Sequence, residues 1–172
     1  MRGRSIPALC EGNEMPLFFE DYEALEPGHT WTSKSRLISQ EDVNRFADST
    51  GDTNPVHVNI AYANGSSFKG PIVHGYLTIS LAHGLVYQLG LDQVTSHAIL
   101  GLNWRLMRAV HPGESIYVVL NLVSRRASKS QPTYGIIERR YDVYNQTNEQ
   151  VAAGDVAMLI MRRSMADALN GL

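Results

Sequence analysis

A short stretch of the chain, residues 47–59, places a carboxylate close to an imidazole. It reads ADSTGDTNPVHVN, so Asp52 and His57 are five residues apart, with Asn54 and Pro55 between them. Asp, Asn, Gly and Pro all favour turns, so one interpretation is an ordinary loop. A rigid turn that holds an acid beside an imidazole also suits general acid–base catalysis. The stretch alone leaves both interpretations open.

The composition is that of a globular protein with little net charge. The chain has 172 residues, 44% of them hydrophobic and 19% charged, and a formal net charge of −2. This length predicts one domain with a sizeable core, which we assign to residues 15–172. Residues 1–14 are predicted to form an irregular extension. The weak net charge argues against nucleic acid as the main partner.

Cysteine usage and hydropathy indicate where the protein acts. Cys10 is the single cysteine, which excludes an internal disulfide and favours a reducing compartment. The first residues lack the apolar stretch of a signal peptide. Residues 72–91 are the most apolar segment, but His74 and His83 interrupt it, whereas a membrane span needs ~20 predominantly apolar residues. We therefore expect a cytoplasmic protein that does not bind membranes.

The hydrophobic pattern predicts which elements flank the Asp–His stretch. Residues 32–38 alternate as a first strand does. A short helix is predicted after Ser39, because Ser39 and Asp42 match a capping box and Gly51 suits the helix end. The stretch from 52 to 71 is predicted to be a loop with one helical turn.

The second half of the chain predicts a long helix followed by strands. Residues 71–90 are apolar on nearly every side, which predicts a helix of about five turns that is covered by protein all round. Four β-rich runs follow, separated by turn sequences, and they predict an antiparallel meander: 97–110, 115–126, 134–145 and 150–163. The fold class is therefore α+β, with an antiparallel sheet wrapped around a long central helix, as in the hotdog fold.

Two stretches together resemble a known family. FADSTGDTNPVHVN, followed by GPIVHGYLTISLAHGL, is similar to the signature of the MaoC-like dehydratases, or (R)-specific enoyl-CoA hydratases. The pattern is G-D-x-N-P-apolar-H after a short helix, then P-x-V-H-G at the start of the hotdog helix. The resemblance covers residues 18–162. It implies a lyase of fatty acid metabolism that adds water reversibly to a 2-enoyl thioester and gives an (R)-3-hydroxyacyl thioester.

The resemblance also implies a role for each motif residue. Asp52 is the base that polarises the attacking water, and His57 holds that water and shares the proton transfer. The backbone N–H of Gly75 forms the oxyanion hole, at a helix start where N–H groups are unpaired and the dipole is positive. Asn54 and Pro55 set the turn that aims the two catalytic side chains.

Two further histidines lie close to the motif in sequence. His74 is predicted to be a structural or capping residue that fixes the helix start. His83 stands where related proteins often have a small hydroxyl residue, so it either bonds Asp52, narrows the pocket or is a core histidine. The spacing of His57, His74 and His83 matches no helical ligand pair such as H-x-x-x-H, so no metal is predicted.

Substrate contacts are less specified by the sequence. The thioester carrier, coenzyme A or an acyl-carrier protein, is expected as part of the substrate, with no separate cofactor. Five basic residues either meet its phosphates or are ordinary solvated charges: Arg105, Arg108, Arg125, Arg126 and Lys129. Three residues either line the acyl pocket or pack the sheet: Trp104, Leu106 and Met107.

Two other functions remain open at this stage. A hotdog thioesterase shares the fold, although the Asn54-Pro55-x-His57 string favours the hydratase. A non-catalytic acyl-binding subunit is the second alternative; Asp52 argues against it and His83 leaves it open. In each case we expect a homodimer or a larger assembly, because a small curled sheet leaves an apolar flank and an open edge.

Overall fold

A computed structural model describes residues 16–170, so the predicted extension over residues 1–14 lies outside the described residues. The described elements, in chain order, are α1 (Phe19–Ala24), β1 (Thr30–Thr32), β2 (Arg36–Leu37), α2 (Gln40–Thr50), α3 (Pro55–Val58), α4 (Ile60–Gly65), α5 (Gly75–Tyr87), β3 (Ser96–Leu106), β4 (Ser115–Ala127), β5 (Tyr134–Asn145), β6 (Gln150–Met161) and α6 (Arg163–Asn170). None of the helices in this part of the chain combines the length and hydrophobicity needed to cross a bilayer.

The strands form one antiparallel sheet in the order β1-β4-β5-β6-β3, and β2 also pairs with β4. The consecutive pairing of β4, β5 and β6 confirms three strands of the predicted meander. The prediction is wrong for β3, which pairs with β6 and not with β4. The link from β3 to β4 is not a tight hairpin, because it pairs with the chain before α5: the Val73 N–H donates to the Val110 carbonyl at 2.8 Å.

Helix α5 packs against the inner face of this sheet and forms the centre of the core. Leu77, Ala82 and Leu85 of α5 share one hydrophobic cluster with strand residues such as Leu120 and Ile137. Apolar burial of this kind is the main driving force for folding. The predicted class is confirmed: an α+β fold in which an antiparallel sheet packs around one central helix.

Helix α5 is shorter and less covered than the sequence predicts. It has 13 residues, because the chain before it is extended and the Ile72 N–H donates to the Val56 carbonyl. Tyr76 is 76% exposed and Tyr87 is 51% exposed. The expectation of burial on every side is therefore wrong for the single chain.

Of the two elements predicted before the Asp–His stretch, the helix agrees with the prediction and the strand does not. The predicted first strand is instead two short strands, β1 and β2. Helix α2 has the predicted capping box: the Ser39 hydroxyl accepts from the Asp42 N–H at 3.1 Å, and the Asp42 carboxylate accepts from the Ser39 N–H at 2.9 Å. Gly51 ends α2 with φ 77°, a left-handed conformation that glycine adopts without strain.

A buried ion pair lies on the inner face of the sheet. Arg139 of β5 is 3.0 Å from the Asp92 carboxylate, and their side chains are 1% and 5% exposed. Burial by itself lowers the pKa of Arg139, but Asp92 and the nearby Tyr141 and Tyr22 outweigh it, and the pKa is raised. Burial raises the pKa of Tyr22 as well. Arg139 therefore stays charged inside the core.

Candidate active site

Asp52 lies in the link between α2 and α3, and its neighbours shape that link. The Asn54 side-chain oxygen accepts from the Val56 N–H at 3.2 Å and so caps α3. Pro55 occupies the first helical position, where a missing N–H costs nothing. The Asn54 N–H lies 3.4 Å from the Asp52 carboxylate. Asn54 and Pro55 thus form the turn that carries Asp52 and His57.

His57 is buried and held in one orientation by the backbone. Its Nδ1 is 2.7 Å from the carbonyl oxygen of Ile72. Because a carbonyl oxygen only accepts hydrogen bonds, Nδ1 carries the hydrogen and Nε2 keeps its lone pair. The Gln40 side chain donates to the His57 carbonyl at 3.1 Å and ties α3 to α2. His57 therefore has one ring nitrogen able to accept a proton.

His74 connects the Asp–His link to the start of α5. Its Nε2 donates to the backbone carbonyl of Asp52 at 2.9 Å. Its ring stacks on His57, with the ring centroids 3.8 Å apart, and also packs against Phe46 of α2. His74 thus positions Asp52 and His57 and is buried away from solvent.

Asp52, His57 and His74 come close enough to act together. One carboxylate or ring atom of each lies within 4.8 Å of the others. Groups at this separation can share one water, because two hydrogen bonds of about 2.8 Å span up to about 5.6 Å. Each imidazole donates one N–H to a carbonyl oxygen and keeps a lone pair on its other ring nitrogen, which suits proton transfer and metal binding alike. We interpret the group as an acid–base set, and the metal-free site stays a prediction.

Gly75 is the first residue of α5, and His74 before it gives no side-chain cap. The first N–H groups of the helix therefore face the site with the positive end of the helix dipole. Gly75 and His57 line one cavity of about 230 Å³. A Cβ on Gly75 would clash with the Cδ1 atom of Leu106, so a larger residue here would displace that side chain.

The cavity includes some of the residues proposed for substrate contact. Leu106, Met107 and Arg108 line it, and Arg108 also pairs with Glu149 at 3.5 Å. Phe68 and Thr78 line it too. The sequence analysis missed these two residues, because no motif includes them and only the tertiary fold brings them there.

The basic residues divide between the two ends of the sheet. Arg105 and Arg108 lie at the cavity end of β3. Arg126 of β4 lies opposite Ile136 of β5, and Ile136 lies opposite Leu159 of β6. Leu159 in turn lies opposite Ala98, near the other end of β3. The seven residues from Ala98 to Arg105 span about 23 Å of strand. The structure therefore places Arg126 and its neighbours far from the cavity.

His83 lies along α5, away from the acid–base set. It follows Gly75 by eight residues, or about 12 Å of helix. Its Nδ1 is 3.5 Å from the Tyr141 hydroxyl, and the two rings stack. Burial, and then the charge of Arg139, lowers the pKa of His83 against the opposing effect of Asp92. The hydrogen bond to Asp52 considered from the sequence is not formed.

An antiparallel sheet packed around one central helix defines a hotdog protein. Here the link that carries Asp52 and His57 lies near the start of that helix. Residues 24–143 match the family model described as the MaoC like domain. The chain belongs to the MaoC-like dehydratase family, as the resemblance predicted.

Three similar proteins illustrate the range of the family. Protein MaoC of Klebsiella aerogenes is 32% identical over 114 residues, 66% of this chain and 33% of that protein. A monoamine oxidase regulatory protein from Archaeoglobus has a TM-score of 0.78 and 27% identity, covering 87% of this chain and 97% of that one. The R-hydratase PhaJ1 of Pseudomonas aeruginosa has a TM-score of 0.68 and 27% identity, covering 82% and 85%. The chain spans about a third of the length of the first curated relatives it matches.

Proposed function

We propose that the protein is a hydro-lyase that adds water reversibly to a 2-enoyl thioester and forms an (R)-3-hydroxyacyl thioester. The observation that carries this proposal is the Asp52 carboxylate beside His57, whose Nε2 is free to accept a proton, in a site that shares its cavity with Gly75. The names of relatives such as the R-hydratase PhaJ1 support the reaction class. The thioester is carried by coenzyme A or an acyl-carrier protein, and no further cofactor takes part.

Each group has a separate part in the proposed reaction. Asp52 and His57 bind one water, and Asp52 removes a proton from it as the water oxygen bonds to Cβ of the substrate. The electrons of the carbon–carbon double bond move toward the thioester carbonyl, and the Gly75 N–H stabilises the negative oxygen. The proton then passes through the Asp52–His57 pair to Cα. Dehydration follows the same steps in reverse.

The first test is hydration of crotonyl-CoA, followed by the loss of its conjugated enoyl absorbance. Asp52→Asn should lower kcat by about 10²–10⁴, because it removes one proton-transfer group. Asp48→Asn is the matched control and should leave kcat unchanged, since Asp48 is an exposed carboxylate of α2 that does not belong to the Asp52–His57–His74 group.

The other outcomes identify other functions. Release of free thiol without hydration would replace the hydratase with a thioesterase. Binding of crotonyl-CoA without turnover would indicate a non-catalytic acyl-binding protein, which the regulatory name of the Archaeoglobus relative makes worth testing. Equal activity in Asp52→Asn and Asp48→Asn would contradict the assigned base.

We also propose that the protein acts as a homodimer. Strand β3 is an edge strand of the described sheet, and Ile99, Leu100 and Leu102 are each about half exposed on it. An exposed apolar edge is unstable in isolation and suits pairing with a second copy about a two-fold axis. The cavity lies at the end of the same strand, so the partner would border it.

A further inference from the structure

The cavity beside Gly75 is bordered along β3 by the side chain of Leu106, which is 55% exposed. That side chain lies against the Cα atom of Gly75, where a Cβ would clash with it. Leu106 also lines the cavity together with His57. An acyl chain held with its carbonyl oxygen at the Gly75 N–H would therefore meet Leu106 directly.

A second side chain stands behind Leu106. Trp104 is two residues earlier, so it projects from the same face of β3, about 7 Å further along the strand. Its indole lies over Gly154 of β6, where any Cβ would clash with the ring, and it packs edge-on against Tyr141. Glycine at position 154 thus makes room for a large, fixed indole at this position.

The volume of the cavity gives a scale for the acyl group. An apolar cavity of about 150 Å³ holds one benzene ring. By the same proportion, the cavity of about 230 Å³ holds roughly nine non-hydrogen atoms. The reacting end of a crotonyl thioester uses roughly six of these. The cavity is open to solvent, so its volume limits the acyl group only on the side where Leu106 stands.

We propose that Leu106 sets an acyl-length limit and that the substrates are short-chain 2-enoyl thioesters of the crotonyl class. This inference rests on the proposed function, because it places the thioester at Gly75. Trp104 forms a second limit behind Leu106, so removal of the Leu106 side chain should admit a somewhat longer chain and not an unlimited one.

The test compares kcat/KM for crotonyl-CoA, trans-2-hexenoyl-CoA and trans-2-octenoyl-CoA. The wild type should prefer crotonyl-CoA to hexenoyl-CoA by tenfold or more, since a misfitting methylene costs about 10–200-fold. Leu106→Ala should raise the ratio of hexenoyl-CoA to crotonyl-CoA activity on the order of tenfold. Leu106→Met conserves the side-chain volume and should keep the wild-type ratio.

Leu37→Ala is the matched control. It is the same substitution at a residue of similar exposure, 60% against 55% for Leu106, but it lies on β2 outside the cavity. It should leave all three kcat/KM values unchanged. Equal wild-type activity on crotonyl-CoA and octenoyl-CoA would overturn the proposal, and so would a folded Leu106→Ala protein with an unchanged ratio.

Binding of saturated thioesters separates this proposal from the proposed reaction. Calorimetry with butyryl-CoA and hexanoyl-CoA needs no turnover, and each methylene that finds room should tighten binding about fourfold. The wild type should bind hexanoyl-CoA no more tightly than butyryl-CoA, whereas Leu106→Ala should bind hexanoyl-CoA more tightly. Absence of hydration for all three enoyl thioesters together with this binding pattern would refute the hydratase and leave the length limit intact. Tighter binding of hexanoyl-CoA than of butyryl-CoA by the wild type would refute the acyl-length limit.

Discussion

The chemistry of His57 depends on a backbone group as much as on its own ring. Nδ1 lies 2.7 Å from the Ile72 carbonyl oxygen, which fixes the tautomer and leaves Nε2 for the water of the proposed reaction. The stacked ring of His74, bonded to the Asp52 carbonyl, fixes both residues relative to α5. Preorganisation of this kind removes the need to reorient groups during the reaction.

His83 should make the stability of the protein depend on pH. Its pKa is lowered, first by burial and then by Arg139, so the unfolded chain binds its proton more readily than the folded chain. The contribution of neutral His83 to the free energy of unfolding is complete above the ordinary histidine pKa of 6.5. It is lost as the pH falls through the lower pKa of His83 in the folded protein. Wild-type protein should therefore lose stability between pH 7 and pH 5, measured as the free energy of unfolding in urea.

His83→Gln should lose less stability over the same pH interval, because glutamine does not titrate and can still reach the Tyr141 hydroxyl. His29→Gln is the comparison variant, since His29 is an exposed histidine that lies against Trp31. An identical pH dependence in the wild type and His83→Gln would refute the assigned cause.

The motif residues of the site could be predicted from the sequence, whereas their supports could not. Asp52, His57 and Gly75 belong to two recognisable strings; the structure brings Asp52 close to His57, and His57 lines one cavity with Gly75. The Ile72 carbonyl and the Phe46 ring act through tertiary contacts that no local pattern encodes. His83 shows the converse: the family resemblance left a bond to Asp52 open as one alternative, but the helix carries His83 toward Tyr141.

Helix α2 gives a test at the level of one element. Ser39→Ala removes the hydroxyl that accepts from the Asp42 N–H, and it should destabilise the protein by about 1 kcal/mol. The measurement is the midpoint of urea unfolding at an unchanged slope. Ser130→Ala, at an exposed turn position, is the control and should leave the midpoint unchanged. A Ser39→Ala midpoint equal to that of the control would mean that the cap contributes no stability.

The elements were predictable where short-range signals define them. Helix α2 has its cap residues and its terminal glycine within one short segment, and both ends were predicted correctly. The pairing of β3 with β6 and the late start of α5 depend on contacts between distant segments, such as Val73 with Val110. Periodicity indicates which face of a strand is apolar, but it does not indicate the neighbouring strand.

At the scale of the whole molecule, several exposed apolar residues lie on the edge strand and on the central helix. The edge strand β3 carries Ile99, Leu100 and Leu102, and α5 exposes Tyr76 and Tyr87. An apolar surface of this extent on a folded domain typically marks an interaction site. In the proposed homodimer, a second copy would cover the edge of β3, and we expect it to cover part of α5 as well.

The proposed homodimer can be tested with a charge on this edge. In a two-fold interface the same patch meets its own copy, so Leu102→Lys would place like charges close together in an apolar contact and should yield monomers. Sedimentation velocity at micromolar protein should show a dimer for the wild type and a monomer for this variant. Val123→Lys, on β4 and similarly exposed, should remain dimeric. A monomeric wild type, or a dimer that persists in Leu102→Lys, would contradict assembly through β3.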